Sequence, residues 1–266
     1  MKTFQELLEG IQDPNIFKAF LLAGGPGSGK SYVADKAFGR VDPTKKGSMT
    51  GKKGKYDLNT LTSRGLKVVN SDHAFETYLK QEGLSNKMPA EEDKPRGVQF
   101  LRGKKVTKAK QDNYLAERLG IVIDMTAGDF QLVKDYKANL EQLGYDCYMI
   151  FVNTSVDVAL HRNANRPRSV PESLVMDSHK KVQANIGKFS NLFAKNMIIV
   201  DNNENNENPF TEVVKHVTAL LRKKVRNPIA RGWIAQQMKT RGITRLPTSR
   251  TDIEHGGGHA AQRRIK

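Results

Sequence analysis

The chain has 266 residues, enough for one large α/β domain with an appendage, and its 38% hydrophobic content supports a real core. The formal net charge is +16 and uneven: Arg222 to Lys266 hold 12 Lys/Arg against 2 Asp/Glu, which puts +10 there and +6 on residues 1–221. No apolar run approaches a membrane span, Met1 to Glu9 lacks an apolar signal region, and the single Cys147 excludes an internal disulfide, a set that suits a cytoplasmic protein.

Phe4 to Ile11 reads as a short helix, ended near Gly10 and Pro14. Ile16 to Ala23 is a short, nearly apolar run, which predicts a buried strand, and Ser31 to Phe38 carries apolar residues at helical spacing. Val41 to Arg64 is rich in Lys, Gly, Thr and Ser and reads as a loop or insertion, its lysines either solvated or meeting a phosphate backbone. A second strand, Leu66 to Asn70, delivers Ser71 and Asp72, and a helix from Ala74 to Gln81 follows. Residues 84–112 are polar and basic, with helical pieces carrying Arg96, Arg102, Lys104, Lys105, Lys108 and Lys110.

Gly120 to Asp124 is an apolar strand ending in an acid. Thr126 to Asp129 fits a capping box that starts a helix from Phe130 to Leu143. Cys147 to Val152 is a fourth strand, with Cys147 as a small core residue, and Ser155 to Asn163 is a helix leading to Arg162, Arg166 and Arg168. Pro171 opens a predicted long helix to about Lys195. Met197 to Val200 is the fifth strand, Asp201 to Asn208 an Asn/Glu connector, and Phe210 to Val225 a final amphipathic helix. From Asn227 the chain reads as a basic, flexible tail that binds a polyanion such as nucleic acid or is simply solvated; His255 and His259 there make no metal site. Strands alternating with helices predict a five-stranded, mostly parallel α/β sheet covered on both faces, with 1–226 as the domain and 227–266 as the tail.

The sharpest signal is Gly24-Gly25-Pro26-Gly27-Ser28-Gly29-Lys30-Ser31, the complete G-x-x-x-x-G-K-[ST] pattern, set between a strand and a helix. Glycines let successive backbone N–H groups close around phosphates, and the helix start adds positive potential. Gly24 to Ser31 with Tyr32 are therefore the candidate ATP-binding residues, Lys30 reaching the β and γ phosphates and the Ser31 hydroxyl ligating Mg²⁺. Asp72 and Asp124 fall at strand carboxyl ends, where ligands of parallel sheets bind. Asp72 is placed to accept a proton from an acceptor hydroxyl or to hold a water on Mg²⁺, or else to cap its helix, and Glu76 shares its face. Asp124 is a candidate to hold Mg²⁺ through water. Met125, where a motor ATPase places Glu, and the absence of Asn-Lys-x-Asp argue against a motor ATPase and a GTPase. Arg162 and Arg166, four apart, lie on one side of a helix end, to close over donor phosphates or merely to suit a helix C-terminus; Arg168 ranks third.

Gly24 to Ser31, Val69-Asn70-Ser71-Asp72, Ile121 to Asp124 with Thr126, and His161 to Arg166 followed by Val170-Pro171 resemble the kinase domain of phage-type polynucleotide 5′-kinases and the related zeta-toxin-like kinases, over roughly residues 16–200. The resemblance implies the P-loop NTPase fold and transfer of the ATP γ-phosphate to a hydroxyl. It implies Lys30 and Ser31 on donor phosphates and Mg²⁺, Asp72 as general base, and Arg166 with Arg162 as lid arginines. One position departs: where both families place an arginine to hold the acceptor, this chain has Phe75. The expected activity is a kinase acting on a nucleic acid or nucleotide. The alternatives are a zeta-toxin-like kinase of a sugar nucleotide, and an ATP-binding protein on nucleic acid that turns ATP over slowly.

Overall fold

A computed structural model describes residues 10–39, 62, 64–87, 89–166, 168–203 and 208–246. Five strands, β1 (Lys18–Ala23), β2 (Lys67–Val69), β3 (Ile121–Asp124), β4 (Asp146–Asn153) and β5 (Met197–Asp201), form one sheet in the order β2-β3-β1-β4-β5. Every pairing is parallel, with Leu22 beside Asp124 and Ala23 beside Phe151. The helices are α1 (Lys30–Phe38), α2 (Asp72–Gln81), α3 (Asp93–Ala116), α4 (Phe130–Gln142), α5 (Val156–Ala164), α6 (Glu172–Gln183), α7 (Ile186–Phe193), α8 (Asn208–Arg222) and α9 (Pro228–Arg241).

Side chains alternate across the strands and make two cores, one on each face. Ala19, Leu21, Met149 and Phe151 pack with Val133 and Leu140 of α4, Phe189 of α7 and Ala230 of α9. Phe20, Leu22, Tyr148 and Ile150 pack with Val33 and Phe38 of α1 and Val213 and Val217 of α8. Both faces are thus covered, as the alternation of elements predicts.

Three expectations shift. The long helix from Pro171 is two helices, because the buried Asn185 turns its amide onto the Gly128 carbonyl at 3.0 Å and the chain restarts at Ile186. The cap of α4 is Asp129, whose carboxylate accepts from the Leu132 N–H, so Thr126 has no capping part. The boundary at 226/227 does not end ordered structure. The Asn227 side chain caps α9 through the Ile229 N–H, its backbone N–H donates to Asp146, and Trp233 stacks edge-on against Phe17 at 5.4 Å. The expected loop at 41–61, the expected helix at 4–9 and the tail beyond residue 246, with both histidines, lie outside the described residues.

The amino ends of the strands hold a buried polar cluster. Asp13 pairs with Lys67 at 3.1 Å, and Lys18 donates to the Leu221 carbonyl. Burial pushes the Lys18 ammonium down from 10.5 to about 8, against the pull of Asp146 and Asp13. Between those values the unfolded chain keeps a proton that the folded chain has released, so stability rises with pH across that window. We expect wild-type stability, measured against Lys18→Met by urea unfolding, to improve by roughly 2–3 kcal/mol between about pH 7.5 and pH 10.5. An unchanging difference would mean the ammonium is hydrated.

Candidate active site

The glycine loop leaves β1 and is pinned from below. The Ser28 carbonyl accepts from Thr154 Oγ1 at 3.1 Å, just past β4, and from Asn202 Nδ2 at 2.8 Å, just past β5. Gly27 and Gly29 take φ of +77° and +85°, open to glycine at little cost. Neither has room for a side chain: a Cβ on Gly27 would sit 2.2 Å from the Ala159 carbonyl oxygen of α5, and one on Gly29 2.3 Å from Asn202 Nδ2. The first turn of α1 then presents N–H groups that have no intrahelical partner. Lys30 Nζ lies within the loop, 2.7 Å from the Gly24 carbonyl and 3.3 Å from that of Gly25.

Asn70 ties the two acids together, although sequence spacing assigned it no role. Its Nδ2 donates to Asp124 Oδ2 at 3.0 Å, and its Oδ1 accepts from the Asp72 N–H at 2.8 Å. Burial pushes the Asp124 carboxyl up; Lys30 pulls it down, Asp72 pushes it up, and Arg166 and Arg168 pull it down. These groups therefore share one electrostatic environment. Asp72 is the first residue of α2 with Ser71 before it, so the capping alternative fails; its carboxylate goes instead to Arg168.

The arginines divide. Arg162, on α5, donates to the Asn202 carbonyl at 2.7 Å and lies under the glycine loop. Arg166 is exposed on the cleft wall. Arg168, ranked third by sequence, makes the closest contact with an acid: Nη2 is 2.7 Å from Asp72 Oδ2 and Nε 3.2 Å from Glu76 Oε1. The buried Asn163 side chain clasps the Val170 backbone from both sides, at 2.8 and 3.1 Å, and so fixes the chord of the loop that carries both arginines.

An open cleft of about 1840 Å³ joins these groups. Gly25, Pro26, Gly27, Gly29, Lys30 and Ser31 line it, with Asp72, Asp124, Arg162 and Arg166. Three loop candidates do not line it. Gly24 lies beneath, Ser28 is buried, and Tyr32 turns its ring onto Phe210 of α8 at 5.0 Å. The cleft is also lined by Phe100 and Lys104 of α3, Leu132 of α4, Leu174 and Lys181 of α6 and Lys188 of α7. Of the basic residues foreseen before α4, Arg96 and Lys104 face the cleft, whereas Arg102 covers the Tyr78 ring and Lys108 pairs with Asp112. The Ser178 hydroxyl, buried and without a hydrogen-bond partner, lies beside Gly25 at the cleft wall.

Among the described residues no cluster of three or more His, Cys, Asp or Glu could hold a metal. Mg²⁺ needs none, since it keeps several waters and takes one or two protein groups plus substrate phosphates. Ser31, Asp72 and Asp124 on one cleft fit that donor set.

Neither a family model nor a curated protein matches the chain. Solved structures do. The AvrRxo1-ORF1:ORF2 complex aligns at 12% identity over 86% of this chain and 78% of that one, with a TM-score of 0.52. Its ATP-containing form aligns at 12% identity over 88% and 79%, with a TM-score of 0.51. Shikimate kinase from Acinetobacter baumannii aligns at 14% identity over 81% and 99%, with a TM-score of 0.40. At these identities the likeness concerns the fold alone, the parallel sheet with helices on both faces.

Gly27→Ala forces a methyl group against the α5 backbone and must deform the loop. ATP affinity should fall by about tenfold or more while the far-ultraviolet spectrum is retained. ATP-induced thermal stabilisation, compared with wild type, measures this.

Proposed function

We propose that the protein is an ATP-dependent phosphotransferase that moves the γ-phosphate to a hydroxyl of a nucleotide or nucleic acid. The observation that supports it most is that the glycine loop, Asp72 and the arginines line one cleft at the carboxyl edge of the sheet. Phosphoryl transfer asks for positioning and for charge complementarity around three equatorial oxygens, and these residue types supply both.

In this reading loop amides and Lys30 hold the donor. Ser31 and Asp124 would hold Mg²⁺, which would supply positive charge to the donor phosphates. Asp72 takes the proton of the acceptor hydroxyl as its oxygen bonds to the γ-phosphorus. The bond from that phosphorus to the bridging oxygen breaks, and ADP leaves. Arg162 and Arg166 offset the charge of the transferring group.

The lining from α3, α4, α6 and α7 favours a nucleotide acceptor: Phe100 and Leu132 offer apolar surface, and Lys104, Lys181 and Lys188 offer cations. The same pairing suits a sugar nucleotide, which is the second reading. The basic segment from Arg222 supports a further nucleic-acid contact away from the cleft. It begins beside the amino ends of the strands, where α9 packs on Phe17. Residues 222–246 hold Lys and Arg but no Asp or Glu.

Labelled ATP offered with DNA, RNA, nucleotides and sugar nucleotides tests the proposal. Label should pass to one class, and Asp72→Asn should slow transfer by about 10²–10⁴-fold with ATP affinity unchanged. Release of free phosphate alone, equally fast in Asp72→Asn, would instead favour an ATP-binding protein that turns over slowly.

A further inference from the structure

Arg168 holds both carboxylates of one face of α2, Asp72 and Glu76, and its own side chain is only 14% exposed. Its guanidinium lies over the Phe75 ring at 5.7 Å, so an aromatic face backs it on one side. The two acids are reached by different nitrogens, Asp72 by Nη2 and Glu76 by Nε. The lone pair of Asp72 Oδ2 that accepts from the guanidinium is engaged, so it does not at the same time accept from an acceptor hydroxyl. One oxygen of the acid best placed to act as base is therefore occupied, and that oxygen must change partners before it can take a hydroxyl proton.

The contact that changes is legible in the geometry. Nε on Glu76 can serve as a pivot, leaving Nη2 to pass from Asp72 to an anion. The fork of a guanidinium suits a phosphate and a carboxylate at once. The surroundings favour an anion too: eight Lys and Arg side chains line the cleft against five Asp. A neutral hydroxyl compound offers Nη2 nothing in exchange for Asp72. We propose, resting on the kinase reading above, that Arg168 selects acceptors carrying a phosphate beside the reacting hydroxyl. That phosphate takes Nη2 and frees Asp72 Oδ2 for the hydroxyl proton, while Glu76 keeps Nε as the positioning residue.

The test compares nucleosides with their 5′- and 3′-monophosphates, in transfer from labelled ATP and in equilibrium binding to protein loaded with a non-hydrolysable ATP analogue. Wild type should prefer the monophosphates by about 100-fold or more in kcat/KM and bind them correspondingly tighter than nucleosides. Arg168→Gln should shrink both ratios to within about tenfold, mainly through KM for the monophosphate, and Arg168→Lys should fall between, since it keeps the charge but loses the fork. Equal ratios in wild type and a folded Arg168 variant, in both assays, overturn the inference and leave the kinase reading intact. No transfer to any acceptor, with monophosphate binding still lost in Arg168→Gln, overturns the kinase reading and leaves the anion site. Should Arg168→Gln fail to fold, Arg168→Lys and Glu76→Gln decide: both must narrow the monophosphate preference, and an unaltered preference in both refutes the role.

Discussion

The Ser28 carbonyl carries two hydrogen bonds, from Thr154 and Asn202, and the geometry of the cleft follows from them. They reach the loop from the ends of neighbouring parallel strands. A shift of β4 or β5 along the sheet would therefore turn the loop backbone and its amides. Both donors are buried, so each bond lost would leave an unsatisfied polar group. The sheet fixes the loop, the loop fixes Lys30, and Asn202 also receives Arg162 through its carbonyl. The glycine loop and one arginine thus share a single anchor.

On the other side of β1, Asn70 does the same for the acids. A single amide spans Asp124 and the start of α2, so the two carboxylates keep a set separation. Gly103 lets α3 press against the Phe75 backbone, with a Cβ there 3.1 Å from the Phe75 nitrogen. The aromatic ring beneath Arg168 is thereby held by close packing. The position where the resembled families place an arginine is thus an apolar floor, and a guanidinium from another element lies above it.

Much of the fold was legible because its signals are local. Strand runs such as Ile121 to Asp124 and the glycine pattern are contiguous, and their structural outcome depends little on distant residues. What escaped was set by long-range partners. The break between α6 and α7 comes from Asn185 bonding a carbonyl far earlier in the chain. The helix α9 was hidden by the Gly, Arg, Thr and Ser content of the whole segment from Asn227, although Ala230, Trp233, Ile234 and Met238 already had helical spacing. Arg168 ranked last of three because its worth lies in Asp72 and Glu76, which no spacing rule connects to it.

The near-contact of Gly27 with α5 couples the glycine loop to the helix that carries Arg162. With the Ala159 carbonyl against the loop, α5 cannot swing without dislodging the phosphate cradle. The clasp of Asn163 on Val170 closes the far end of the same segment. The segment that carries Arg162 and Arg166 is thus tied at one end to the glycine loop and at the other to Val170, so the loop and its neighbouring arginines take their places together.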